Sequence, residues 1–237
     1  VDFFDSTSEE EMIEILKKLK IAKVLNSYEK ETKVIHCGND ETFAFLAYYQ
    51  YLNNPQTMVI VMENLLSCQS MYNKLSVMLK ENVYMYCVDE ITKFTTLATS
   101  PEMESSRLFI LNKLAENQPI VVVTHTMAIK RFTPSLEMFN KKSFSLEVDQ
   151  ESSINHIVYD LVKIGYKNVF KVTQPFEFST RGGVIDIFSI NYDRPIRIEF
   201  FDTIIESIRF FDEESQRTIS STNKVKIIPA CEFLVDD

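Results

Sequence analysis

Glycine is scarce in this sequence, at four residues among 237; cysteine is equally scarce, and histidine occurs three times. Long apolar runs are missing. The most apolar short segment, Ile120-Val121-Val122-Val123, has the length of a strand, far below the roughly 18 residues a membrane helix needs. No membrane partner is expected. The opening Val1-Asp2-Phe3-Phe4-Asp5 lacks the basic start and apolar centre of a secretory signal, so the chain reads as cytoplasmic. Cys37, Cys68, Cys87 and Cys231 show no short pair spacing, which suits reduced, mostly buried thiols better than disulfides or zinc. His36, His125 and His156 are too far apart to suggest a metal site by spacing, and no metal or other cofactor is expected. Cations are also in deficit: 25 Lys and Arg stand against 34 Asp and Glu, a net charge of -9. Residues 1–128 hold 11 basic and 17 acidic side chains, and the remainder holds 14 and 17. Neither part is built to neutralise many phosphates.

The 45% hydrophobic content is enough to fill a core. Its spacing divides the chain. Helices are predicted over 6–25, 40–51, 64–79 and 104–116, and strands over 33–38, 57–62, 83–88 and 120–124. Strands alternating with helices of this length imply a parallel sheet covered on both faces. Beyond about residue 128 the pattern changes. A half-buried strand is expected at 143–148, then a helix at 154–164 ended by Gly165, then three strand-like runs at 183–190, 196–201 and 204–211. A last strand covers 224–228. The expected fold is therefore α/β: a parallel-sheet subdomain at 1–128, an inserted α+β subdomain with an antiparallel meander at 129–223, and a strand in 224–237 returning to the first subdomain.

The first strand-to-helix turn, Gly38-Asn39-Asp40-Glu41-Thr42, occupies the place of a phosphate loop. Only Gly38 and Thr42 suit that role. No Lys follows within reach, and Asp40 with Glu41 would repel a triphosphate. Val88-Asp89-Glu90 resembles the acidic pair of a helicase motif, but without a phosphate loop it has no magnesium nucleotide to hold. No Gly-x-Ser-x-Gly elbow, paired-His motif or Cys/His arrangement occurs, so no catalytic residue can be named.

Two of the four glycines, Gly182 and Gly183, are adjacent in Thr180-Arg181-Gly182-Gly183-Val184-Ile185-Asp186-Ile187-Phe188. Such a pair marks a bulge, a tight turn or a close backbone approach. Arg181 sits beside it, at the start of the predicted strand. Chemistry alone reads this side chain as a surface charge paired with a neighbour such as Glu177. Arg197, Glu199, Glu206 and Arg209 alternate along the next two strands and read as cross-strand charge pairs.

The glycine run, together with Pro195 to Asp202, Ile205 to Asp212 and Ser215-Gln216-Arg217, resembles the N-terminal region of the bacterial transcription-repair coupling factor family, Mfd, and its relative, the excision-repair protein UvrB. Weaker similarity extends to Ser105-Ser106-Arg107-Leu108, Gly165-Tyr166 and Ile228 to Phe233. The resemblance implies a helicase-like α/β subdomain without its ATP site, followed by an α+β subdomain that docks UvrA. It also implies a non-catalytic module that brings UvrA to stalled RNA polymerase by imitating UvrB, with polymerase and DNA engaged only through other domains. The implied partner-binding residues are Arg181 and Gly182, the basic Lys167 after Gly165-Tyr166, and Ile185 and Phe188 as apolar neighbours, one of which strand alternation assigns to the core. Ser179 stands where UvrB has a second arginine. Two alternatives stay open: a nucleotide-dependent helicase or nuclease domain with an atypical phosphate loop, and a structural clamp on the motor.

Overall fold

The computed structural model describes residues 37–88 and 101–234, with Glu11, Glu14 and Lys18 besides. Apart from those three residues the predicted helix at 6–25 lies outside the described residues, as do most of the predicted strand at 33–38, His36 and the Asp89-Glu90 pair. The described residues form two compact units, 37–88 with 118–130 and 101–117 with 131–234.

The first unit contains α1 (Asp40–Asn53), β1 (Met58–Met62), α2 (Leu65–Leu79), β2 (Val83–Tyr86) and β3 (Val121–His125). Both helices begin at an asparagine whose side chain accepts an otherwise orphaned amide: Asn39 from Thr42 and Asn64 from Ser67, each at 2.9 Å. The strands form a parallel sheet in the order β1-β3-β2, as the strand-helix alternation predicts. β3 lies in the middle and is buried at every residue, as the unbroken apolar run at 120–123 requires. Ile60, Val121 and Val123 pack with Tyr49 of α1 and Cys68, Met71 and Leu75 of α2. Val122 and Thr124 on the opposite side of β3 are also buried, whereas Val59 and Val61 on the edge strand β1 are exposed.

The second unit contains α3 (Pro101–Ala115), α4 (Leu136–Lys142), β4 (Phe144–Glu147), α5 (Ile154–Lys163), β5 (Lys167–Asn168), β6 (Glu177–Arg181), β7 (Val184–Ile187), β8 (Ile196–Phe201), β9 (Ile204–Phe211), β10 (Thr218–Thr222) and β11 (Lys224–Ile227). A six-stranded sheet runs β10-β9-β8-β7-β6-β5, antiparallel except for the short β5–β6 pair. The predicted meander is present at its centre, and β8 and β9 have the predicted bounds. Period-two alternation divides the sheet into two chemically distinct faces. One face sends Phe178, Ile185, Ile187, Ile196, Ile198 and Ile208 into a core with Ile157 and Leu161 of α5. The helix supplies its apolar stripe to that core and ends at Gly165, whose φ of 98° is the predicted left-handed cap. The other face carries Ser179, Asp186, Arg197 and Arg209 in register across four strands.

The unit boundary differs from the predicted division at residue 128. α3 packs within the second unit, and β11 pairs antiparallel with β4, placing Val225 opposite Leu146 in the same core. The helix is held there by apolar contacts of Leu108 and Leu111 with Phe139 and Ile228 and by a buried ion pair. Arg107 of α3 is fully buried and forks onto the fully buried Glu232, with Nε 2.5 Å from Oε1 and Nη2 3.1 Å from Oε2. Arg131 reaches the same carboxylate at 2.9 Å. Removing one member of such a group strands a buried charge. Glu232→Gln is therefore expected to lower the stability of this unit by about 3–5 kcal/mol, measured by denaturant unfolding followed through tyrosine near-ultraviolet dichroism.

Candidate functional site

The glycine pair forms the two-residue turn of the β6–β7 hairpin, in which Arg181 is opposite Val184. Gly182 has φ of 58°, a left-handed conformation that side-chain-bearing residues adopt at a cost. Gly183 meets a different demand. A Cβ there would lie 3.1 Å from the carbonyl oxygen of Phe200, while the Gly183 carbonyl accepts the Phe200 amide at 2.8 Å. The strand opposite has a register shift at Glu199/Phe200, where the hairpin tip presses against it. The turn and the close approach read from the sequence are thus divided between two neighbouring glycines.

Arg181 is not at the start of a strand, as the sequence reading placed it. It is the last residue of β6, a strand missed because Glu177-Phe178-Ser179-Thr180-Arg181 has a single large apolar residue. Its side chain is exposed, and among the described residues no carboxylate pairs with it. Glu177 is engaged elsewhere: Oε2 accepts the amides of Thr173 and Gln174 at 2.9 and 3.0 Å. Arg181 instead donates from Nη2 to the carbonyl of Phe170 at 3.3 Å, and its guanidinium lies 5.4 Å from the centre of the Phe170 ring.

Ile185 and Phe188 are both buried, at 0% and 7% exposure, so neither presents a surface beside Arg181. Alternation assigned one of the two to the core. Phe188 follows the paired stretch of β7, whose last residue is Ile187, and its amide and carbonyl still bond to Glu177 and Phe176. Ser179, at the position of the second UvrB arginine, is buried and donates to the Phe170 carbonyl at 3.1 Å. Lys167 is exposed on β5 opposite Glu177 and borders a groove of about 750 Å³ that also contains Glu102 and Glu104.

Of the expected cross-strand charge pairs, Arg209 with Glu199 is present, whereas Arg197 pairs with Asp186 on β7 and Glu206 forms no ion pair among the described residues. Arg197 grips Asp186 through two hydrogen bonds of 2.7 and 2.8 Å, and Arg209 reaches Glu199 at 2.6 Å. The Asp186 carboxylate raises the already high Arg197 pKa, chiefly through this hydrogen bond. Asp186, Arg197, Glu199 and Arg181 border a depression of about 230 Å³ on the outer sheet face. The Asp186 and Glu199 charges within it are already matched.

The loop Gly38 to Thr42 is an ordinary capped helix start. The Asn39 side chain takes the Thr42 amide that a phosphate would need, and Asp40 and Glu41 place negative charge in the first turn. Glu41 also lies 3.5 Å from Lys74. His125 is buried, with Nε2 3.2 Å from the Val88 amide, and the Cys68 and Cys87 sulfurs lie 3.0 Å apart in the core. Among the described residues there is no cluster of potential metal ligands, and no helix is long and apolar enough to cross a membrane.

Arg181 is thus an exposed charge on a glycine-tight hairpin, beside carboxylates already matched by other arginines, and it is open to contact from a partner. Residues 144–233 match the family described as the UvrB interaction domain, an interaction module and not an ATPase. The chain is 32% identical over 177 residues to the transcription-repair-coupling factor of Bacillus subtilis (strain 168), covering 74% of this chain and 15% of that protein. It is 31% identical over 189 residues to the transcription-repair-coupling factor of Staphylococcus aureus (strain USA300), covering 79% of this chain and 16% of that protein. The resemblance to the coupling factors therefore holds over most of the chain, which spans about a sixth of the length of these relatives.

The two glycines make separable demands. Gly182→Ala is expected to destabilise the chain by about 1–2 kcal/mol from backbone conformation alone, and Gly182→Asn by less, because Asn tolerates left-handed φ. Gly183→Ala has only a backbone oxygen to push against and should shift the hairpin itself. Thermal unfolding and amide exchange at Phe200 distinguish the two.

Proposed function

We propose that this chain is the N-terminal, non-catalytic module of a cytoplasmic transcription-repair coupling factor. In this reading it recruits the nucleotide-excision-repair protein UvrA to stalled RNA polymerase by presenting a surface like that of UvrB. The observation that carries the reading is Arg181: an exposed guanidinium without a carboxylate partner, held at a glycine hairpin inside the segment that matches the UvrB interaction domain. Gly182 shapes the turn that presents it, and Lys167 adds a second cation on the same sheet edge. RNA polymerase and DNA are engaged by other parts of the longer protein. The first unit is a degenerate helicase-like subdomain. Its helix start, capped by Asn39 and lined by Asp40 and Glu41, disfavours a nucleotide phosphate.

Ile185 and Phe188 enter this reading as the support beneath the hairpin rather than as contacts. A buried side chain holds the strand in place, and only an exposed one can be desolvated by a partner.

Calorimetric titration against purified UvrA tests the docking surface. Arg181→Ala is expected to weaken binding by about 2 kcal/mol, roughly 30-fold, and Arg181→Glu by more, with thermal stability unchanged because the side chain is exposed. Unaltered binding by the folded Arg181→Glu variant would sink the reading. Titration with ATP and magnesium should give no binding heat. Micromolar binding there would restore the enzyme alternative.

A further inference from the structure

The residue that organises Arg181 is one the family resemblance does not name. Phe170 follows β5, is 88% exposed, and contributes nothing to the core. Single exposed apolar side chains are ordinary, so what marks Phe170 is its contacts rather than its exposure. Its backbone is well tethered. The Val169 amide bonds to the Phe178 carbonyl at 2.9 Å, and the Phe170 carbonyl accepts both Ser179 Oγ at 3.1 Å and Arg181 Nη2 at 3.3 Å. The ring is thus delivered to a fixed place, with the Arg181 guanidinium 5.4 Å from its centre.

We infer that Phe170 and Arg181 form one anchor: Phe170 positions the guanidinium with its ring and carbonyl, and the pair accepts a carboxylate side chain with an apolar flank from a protein partner. This inference rests on the docking role proposed for Arg181 and adds to it the residue that preorganises it and the chemistry it selects.

A guanidinium carries five N–H donors, and only one is used in a hydrogen bond to Phe170, so a forked face remains for a carboxylate. Fixing the long side chain beforehand removes ordering cost from the binding step. The acids nearest on the outer face, Asp186 and Glu199, are engaged by Arg197 and Arg209, which leaves the Arg181 charge to be matched from outside. The depression of about 230 Å³ that Arg181 borders is the size of a single side chain. The exposed ring then supplies the apolar contact that buried Ile185 and Phe188 cannot.

The test is a double-mutant cycle on UvrA binding by this chain with Phe170→Ala, Phe170→Tyr, Arg181→Ala and the Phe170→Ala/Arg181→Ala pair, with melting temperatures recorded for all. Phe170→Ala is expected to weaken binding about 5- to 10-fold without lowering the melting temperature, and Phe170→Tyr, which keeps an aromatic face, to bind within about twofold of the parent. The double variant should lose clearly less than the product of the two single losses, because part of the ring's contribution passes through the guanidinium. Full binding by Phe170→Ala, losses that multiply in the double variant, or a melting temperature that falls with Phe170→Ala would each overturn the inference. If Arg181→Ala itself binds normally, the docking reading fails first. If Arg181→Ala loses binding and Phe170→Ala does not, only the role of Phe170 fails.

Discussion

The second unit is organised around one buried carboxylate. Glu232 has no exposed surface and is shared by Arg107 and Arg131, the former also fully buried. Burial of any of these charges alone would be strongly unfavourable, so the three segments that carry them must converge. That requirement brings α3 and the segment after β11 together, and with them Leu108 and Leu111 against Phe139 and Ile228. Tyr166 adds a second tie, donating its hydroxyl to the Ile228 carbonyl at 3.0 Å, and burial raises its phenol pKa well above normal. The sheet that presents Arg181 is therefore fixed from its far end by polar contacts in the interior.

This arrangement shows which parts of the fold local sequence can reveal. Strands β8 and β9 were legible because Ile196-Arg197-Ile198 and Ile204 to Phe211 place apolar and polar residues on opposite faces at period two. β3 was legible as an unbroken β-branched run. The Arg107–Glu232 pair spans 125 residues, and nothing in the local pattern around either residue signals that its charge is buried. Long-range contacts of this kind, the ion pair and the packing of Leu108 and Leu111 on Phe139, place α3 in the second unit, which is why a division based on changes of periodicity placed it elsewhere. β5, β6 and β10 were missed for a simpler reason: Lys-Asn, Glu-Phe-Ser-Thr-Arg and Thr-Ile-Ser-Ser-Thr contain too few apolar residues to register, and their pairing depends on neighbours already in place.

The candidate site divides in the same way. The glycine pair was legible because rarity and adjacency together imply a backbone constraint, and the structure resolves that constraint into one positive φ and one close contact. Arg181 was recognisable as a charge, but its contacts were not. The expected neighbour Glu177 caps the turn at Thr173 and Gln174. The actual neighbour, Phe170, lies 11 positions away across a parallel β5–β6 contact that the sequence did not reveal. An exposed phenylalanine in a loop has no signature in a single sequence; only its placement over a guanidinium gives it meaning.

Electrostatics separates the two cations of this sheet edge. The chain carries a net charge of -9, so it offers little long-range attraction to an acidic partner, and Arg181 must act at contact range. Lys167 pairs in register with Glu177, four residues along β6 from Arg181, which places the two backbones about 13 Å apart at roughly 3.3 Å per residue. That exceeds the screening length of about 8 Å in physiological salt. Lys167 also borders a groove containing Glu102, Glu104 and Glu177, while Arg181 has no acid paired with it among the described residues. On the proposed docking role, the two cations act as separate contacts of unequal strength, and a partner that touches both lies along the β5–β6 edge with its strongest acidic contact at the hairpin end.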